Sequence, residues 1–405
     1  MITTFYPPYN FGGDGIFVRL LANELAKREH QVEVIHCVDS YRLLAKQQPS
    51  AGYQDDPNVT VHRLESRFGF LSPLATQQTG FPLFKLRKLR QILSRQFDVI
   101  HYHNISLVGG PQILAAGRAI KLYTIHDYWL VCPTHLLFKF NRSPCTRRDC
   151  LACSLVYLRP PQYWRYFGLR DMMMKHIDRF ISPSRFGMEI NHRLGLDIPI
   201  VHLPHFVVPS ETVSPAMECP LDPEVTSPYF LFVGRLEKIK GLQTLIPVFS
   251  KYRKARLLVA GQGNFEPQLR RLAEGSPNIG FLGHQSGRQL QALYRKAVAV
   301  IVPSVCFELF SLVILEAFRE GTPVIANNIG GMPELIAKSG GGFIYGSEQE
   351  LIAAMDRLST DASVRDRLGA FGFQAFQQYW TPGVHVERYL NLIGEIAATR
   401  NQERN

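Results

Sequence analysis

Ala299-Val300-Ile301-Val302-Pro303 is a short apolar run, and after four more residues comes Glu308-Leu309-Phe310-Ser311-Leu312-Val313-Ile314-Leu315-Glu316. The first run reads as a strand buried on both faces, and the second opens a helix over Phe310–Glu320. Together, Val298 to Phe318 is the most apolar part of the chain, but Pro303, Ser304 and Glu308 interrupt it. It therefore reads as strand, loop and helix, not as a membrane span.

The same alternation extends in both directions. Strand signals fall at Val32–His36, Val59–Leu64, Val99–His103, Leu122–His126, Phe180–Pro183 and Val201–Pro204 in the first half. In the second half they fall at Tyr229–Val233, Arg256–Ala260, Ile279–Leu282, Ala299–Pro303, Pro323–Ala326 and Phe343–Tyr345. Helical periods lie between most of them, with Ile16–Arg28 and Ser286–Ala297 clear examples. Strands alternating with helices predict parallel sheets with crossover helices. A Pro-rich stretch without apolar period, Pro209–Pro228, marks a linker. The expected organisation is a first Rossmann-like domain over 1–208, a linker over 209–228 and a second such domain over 229–375. A final helix over 376–405 is expected to pack back on the first domain.

The 405 residues carry a net charge of +11, and 46% of them are hydrophobic. That composition excludes a disordered or collagen-like chain. Residues 1–210 hold 25 Lys+Arg against 15 Asp+Glu, whereas residues 211–405 hold 20 against 19. The first half alone is basic, which suits an anionic partner. Met1 to Tyr9 has neither a charged n-region nor an apolar h-region, so a cytoplasmic protein is expected, with peripheral contact at the inner membrane face.

In open parallel sheets, ligands bind beyond the carboxyl ends of strands, and five turns there carry chemistry. Gly12-Gly13 lies just before the first helix, where a backbone can approach an anion. Gly234-Arg235-Leu236-Glu237-Lys238-Ile239-Lys240-Gly241 offers a guanidinium fork and an ammonium for phosphate. Gly261-Gln262-Gly263 lacks the third glycine of a dinucleotide fingerprint, since Glu266 stands there, which weakens an oxidoreductase reading. Glu308 and Glu316, with seven residues between them, are carboxylates suited to accept sugar hydroxyls. Gly330-Gly331-Met332-Pro333-Glu334 is a further strand-to-helix turn. Each turn alone has an ordinary structural explanation, while their order and spacing together are specific.

In that order the turns resemble the retaining glycosyltransferases of family four, over about residues 1 to 395. The resemblance implies an α/β GT-B fold, two Rossmann-like doubly wound domains facing a cleft, with a nucleotide-sugar donor held by the second and an acceptor by the first. It implies that Arg235 and Lys240 bind the donor diphosphate near Gly12, Gly13, Gly261 and Gly263. Glu308 would hold the transferred sugar, beside the amides of Phe310, Ser311 and Leu312, and Glu316 the ribose. Thr124-Ile125-His126-Asp127 resembles the family's histidine motif, which puts His126 beside the sugar. The activity implied is hexosyl transfer with retention, in polysaccharide, glycolipid or other glycoconjugate synthesis. Three departures stand out: Met1–Phe5 is short for a first strand, Ser311 replaces the usual glycine, and Pro204-His205-Phe206 replaces the usual Asn-Gly hinge.

No Asp-x-Asp occurs, so no cofactor is expected for catalysis, and cations would neutralise the leaving group. Cys132, Cys145, Cys150 and Cys153 form a C-x12-C-x4-C-x2-C pattern, a candidate structural zinc or iron–sulfur centre as readily as plain thiols. Ser66 to Phe97 has no acid but six cations, Arg67, Lys85, Arg87, Lys88, Arg90 and Arg95. The 81–97 segment reads as a basic amphipathic helix, suited to anionic lipid or to packing with a solvated basic face. The partners expected are a nucleotide-sugar donor and an anionic or lipid-linked glycan acceptor, and no nucleic acid. A sugar-nucleotide epimerase of the same fold is the competing function.

Overall fold

The computed structural model describes residues 1–45, 49, 52–210 and 228–402. The chain divides into two compact units. The first contains 1–140, 146–205 and 382–405, and the second contains 141–145 and 206–381.

The parallel strands of the first unit are β1 (Val32–Cys37), β2 (Val59–Leu64), β3 (Val99–Tyr102), β4 (Ile120–Thr124), β5 (Arg179–Ser182) and β6 (Ile200–His202). β1 pairs with β2, and β3 to β6 run in chain order, all parallel. The expected first strand is reduced to a bridge. Ile2 alone pairs with both Ile35 and Tyr102 and so joins the two sheets. The order therefore reverses at Ile2: the chain steps out one way to β1 and β2, returns, and steps the other way to β3 and beyond. Helix Gly13–Ala26 covers the sheet with Phe17, Val18, Leu21 and Ala22, each at most 1% exposed.

The second unit holds one six-stranded parallel sheet. Its strands are β7 (Tyr229–Val233), β8 (Arg256–Ala260), β9 (Ile279–Gly283), β10 (Ala299–Val302), β11 (Val324–Asn327) and β12 (Gly342–Tyr345), in the order β9-β8-β7-β10-β11-β12. The inner strands run as Val/Ile/Leu/Phe-rich segments because helices bury both of their faces, whereas the edge strands β9 and β12 are only partly buried. Apolar clusters lie on both sides, one around Leu242, Ile246 and Met355, the other around Ile314, Phe318 and Trp380. The order reverses between β7 and β10, so a crevice is expected at their carboxyl ends.

The unit boundaries differ by a few residues from the sequence expectation. Residues 206–208 belong to the second unit: Phe206 is fully buried, Val207 N–H donates to Trp380 O at 3.2 Å, and Arg319 donates to Val208 O at 3.1 Å. Of the expected linker 209–228, residues 211–227 lie outside the described residues. The helix Ala362–Tyr379 stays with the second unit, and only Pro382–Gln402 packs on the first. It does so through a bidentate Arg400–Asp178 pair at 3.0 and 2.7 Å and an Arg388 bond to His202 O at 2.9 Å. Trp380, Thr381 and Pro382 make the break, since proline cannot extend the preceding helix.

The basic 81–97 segment folds as a short turn, Leu83–Lys85, and a helix, Leu86–Leu93. The helix turns Leu89, Ile92 and Leu93 into the core, each at most 4% exposed. Its apolar face is thus already used, as in the packed alternative of the two readings, and its basic face is left to solvent. Lys85 is itself buried, donating to Ser72 Oγ, Thr76 Oγ1 and Leu107 O at 3.2, 3.1 and 2.9 Å.

Candidate active site

In the second unit the charged residues singled out above gather where the strand order reverses. Lys240 lies in the turn after β7, and Glu308 in the loop between β10 and helix Leu312–Arg319. The Lys240 ammonium donates to Glu308 Oε1 at 2.7 Å, and Ser304 Oγ donates to the same oxygen. Burial alone would push the Glu308 carboxyl up, but Lys240, Ser304 and Arg235 outweigh it and hold it below the ordinary value. Burial likewise pulls on the Lys240 ammonium, and Glu308 more than restores it, leaving lysine above its ordinary value. Both groups are therefore charged at neutral pH. Arg235 is more open, 46% exposed, and pairs with Glu237 Oε1 at 2.8 Å.

Glycines bring these turns together. A Cβ on Gly261 would lie 1.9 Å from Gly234 O, and one on Gly330, at φ +67°, would lie 2.5 Å from Glu308 O. The first contact seats the turn after β8 on the turn after β7, and Gly263 approaches Leu236 O in the same way. The second seats the turn after β11 on the Glu308 loop, where Gly331 N–H also donates to Glu308 O at 2.7 Å. These close approaches hold the neighbouring turns against one another and against the Glu308 loop.

Phe310 and Ser311 lie in the loop, and Leu312 begins the helix. Ser311, at the N-cap, makes no side-chain capping bond, so the first-turn amides keep their donors without a serine acceptor. One turn into that helix, Glu316 Oε2 accepts the Tyr294 hydroxyl at 2.7 Å. Burial raises the Glu316 carboxyl above its ordinary value in spite of that bond. A carboxylate has further acceptor positions, so the tyrosine orients Glu316 without exhausting it.

The first unit carries a different constellation at its own reversal point. His126 follows β4, and its Nε2 lies 2.9 Å from His103 Nδ1 at the end of β3. The His101 ring lies 3.9 Å from that of His103, tilted by 37°, with Nε2 2.8 Å from Thr124 Oγ1 and Nδ1 3.1 Å from the Tyr389 hydroxyl of the last helix. The His205 ring lies 3.9 Å from that of Phe17, tilted by 30°, and stacks on that of His126 at 4.9 Å. Burial lowers His101, His103 and His205 well below the ordinary histidine value. Burial also brings His126 to about 4, although Asp14 and Asp127 pull the other way. His126 is thus neutral at neutral pH, able to donate from one nitrogen and accept at the other. Asn104 ties the neighbouring acids together, its Nδ2 reaching Asp14 Oδ2 at 3.3 Å and Asp127 Oδ2 at 3.4 Å.

Gly12 and Gly13 stand at the start of the first helix, beside Asp14. Gly12 is extended, with φ −153°, and a Cβ there would meet nothing closer than 3.5 Å. Gly15 is the tight position, where a Cβ would meet Asn10 Oδ1 at 2.3 Å. His103, Asn104 and Asp14 were not singled out from the sequence. The signal that would have found them is the His101-Tyr102-His103-Asn104 run closing a strand next to the reversal point. Among the described residues no three His, Cys, Asp or Glu side chains are placed to hold a metal ion. Cys145 goes with the second unit, while Cys132, Cys150 and Cys153 stay in the first.

Two family models match the chain, "Glycosyltransferase Family 4" over residues 11–211 and "Glycosyl transferases group 1" over residues 220–375. An uncharacterised glycosyltransferase of Methanocaldococcus jannaschii is 36% identical over 388 residues, covering 90% of each chain. Among solved structures, sucrose-phosphate synthase from Thermosynechococcus elongatus superposes with a TM-score of 0.74 at 18% identity, covering 98% of each chain. HepE of Anabaena, solved in complex with UDP-glucose, superposes with a TM-score of 0.65 at 16% identity, covering 99% of each chain. The reversal-point turns of both units, read with these matches along nearly the whole length, place the chain in glycosyltransferase family 4, with the GT-B fold.

Proposed function

We propose that the protein transfers a hexose from a nucleotide-sugar donor to a glycan or lipid-linked acceptor, with retention of the anomeric configuration. The observation that carries the donor half is the charged Lys240–Glu308 pair at the reversal point of the second unit, with Arg235 beside it. A departing nucleoside diphosphate develops negative charge, and prepositioned cations with helix-terminal amides stabilise it without reorganising. Lys240 and Arg235 serve the diphosphate, the first turn of helix Leu312–Arg319 adds amide donors, and Glu308 accepts hydroxyls of the sugar. Glu316, held by Tyr294, accepts ribose hydroxyls. The structural neighbour HepE was solved with UDP-glucose, which supports a nucleotide sugar as donor.

Neutral His126 hydrogen-bonds the transferred sugar or orients the acceptor hydroxyl. The basic excess lies in residues 1–210, the half that takes the acceptor in this reading, and so favours an anionic acceptor. The test is a panel of nucleotide sugars incubated with the full chain, with mass-spectrometric detection of released nucleoside diphosphate and NMR of the product anomer. At least one donor is expected to be consumed, giving an α-product from an α-donor. Consumption of no donor, an inverted product, or an epimerised nucleotide sugar formed without acceptor would each overturn the reading.

A further inference from the structure

The described residues include twenty-one large hydrophobic side chains left exposed, and fourteen of them fall in two short stretches of the first unit, 68–84 and 151–172. Scattered exposed apolar residues are ordinary, but a concentration marks an interaction surface. In the first stretch Phe70 and Leu83 are 59% and 51% exposed, and the exposed rings of Phe68 and Phe84 lie against each other at 4.4 Å. In the second, Leu158 and Phe167 are 91% and 80% exposed, with Leu155 and Tyr166 nearby in sequence. Leu158 also sits at φ +53°. A bulky side chain in the left-handed region costs energy, and here that conformation coincides with nearly complete exposure.

The stretches adjoin. Gln77 Nε2 donates to Pro160 O at 2.8 Å, and Trp164 Nε1 donates back to Gln77 O at 3.0 Å. Cations border the apolar groups. Arg67, Arg87, Lys88 and Arg90 are exposed in a segment that contains no acid from Ser66 to Phe97. On the other side, residues 146–175 hold six cations and two acids, and both acids, Asp149 and Asp171, are already paired, with Lys139 and Arg170.

We propose that this face of the first unit docks on an anionic lipid bilayer. Phe70, Leu83, Leu158 and Phe167 enter the boundary between headgroups and acyl chains, and Arg67, Arg87, Lys88 and Arg90 meet headgroup phosphates. A bilayer supplies both an apolar layer and a sheet of negative charge, which is the pairing these residues present. The lipid contact thus lies in apolar projections flanking the basic helix Leu86–Leu93, whose own apolar face is committed to the core.

The test is co-sedimentation of the full chain with vesicles of phosphatidylcholine alone and of phosphatidylcholine with phosphatidylglycerol. The wild type is expected to partition about tenfold more strongly onto the anionic vesicles. The double variant Leu158→Ser/Phe167→Ser should lose about tenfold of that binding, as should Arg87→Glu/Arg90→Glu. Because all four side chains are exposed, melting temperature and donor hydrolysis should stay at wild-type values. Equal partitioning onto both vesicles would overturn the proposal. So would anionic binding that ignores the Ser variant, or a wild-type dimer in sedimentation that this variant dissociates, which would make the face a self-association surface. Lys240→Ala should bind vesicles like the wild type, so this result and the donor reading fail separately.

Discussion

The two units place their chemistry at the same topological point and handle charge there in opposite ways. At the reversal point of the second unit a lysine and a glutamate are both charged, each held so by the other across 2.7 Å. At that of the first unit burial strips the charge from His101, His103, His126 and His205. In each unit the strand order reverses where open parallel sheets take their ligands. The residues delivered there decide whether the reversal point offers a charged site suited to a diphosphate or a neutral, hydrogen-bonding site suited to hydroxyl groups.

The largest expected effect separating the units is on stability at mildly acid pH. Histidines with depressed native values are neutral in the fold but take up protons when unfolded near the ordinary value of about 6.5. The unfolded chain then binds more protons, so stability falls as pH drops from about 6.5 toward 4. All buried histidines are in the first unit, and the second unit's His284 is exposed. Glu308, whose value is lowered, contributes stability that persists above the unfolded carboxyl value of about 4.3 and is lost as pH falls through its native one. Hydrogen exchange at pH 7.5 and pH 5, corrected for intrinsic rates, should show the first unit deprotected well before the second. Equal loss in both would break the contrast.

Next in size is Lys240→Ala, which removes a cation and strands Glu308. Donor hydrolysis should fall about 100-fold, or about 2.7 kcal/mol in the barrier. Arg235→Ala, at a more open position, should cost at least about tenfold, or about 1.4 kcal/mol. If both variants turn over at wild-type rates, the charged site is not the donor site. The smallest change expected is Tyr294→Phe. Loss of its bond to Glu316 should lower stability by about 1 kcal/mol in denaturant unfolding, with turnover reduced only a few-fold. A loss as large as that of Lys240→Ala would make Glu316 more than an acceptor for ribose.

The strands were legible because each is short, apolar and bounded by a turn, and β2, β7 and β8 have the limits read from the sequence. The charged turns were legible too, since Arg235 and Lys240 lie beside glycines after a strand and Glu308 lies between a strand and a helix. The His103–His126 contact was not, because it depends on β3 and β4 being neighbours, which no local pattern states. Gly261 and Gly330 were found, but their closeness to the adjoining turns is visible only once the strands are placed side by side. The helix Leu86–Leu93 shows the same limit: its period reveals an apolar face, and only the packing reveals that the core covers it.

The central claim is that the nucleoside diphosphate belongs to the charged reversal point of the second unit and not to the neutral one of the first. Calorimetric titration of the full chain with UDP, GDP and ADP tests it most directly. At least one of them should bind the wild type, with affinity lowered tenfold or more in Lys240→Ala and left within about twofold in His126→Ala. Binding that survives Lys240→Ala but is lost in His126→Ala would contradict the account.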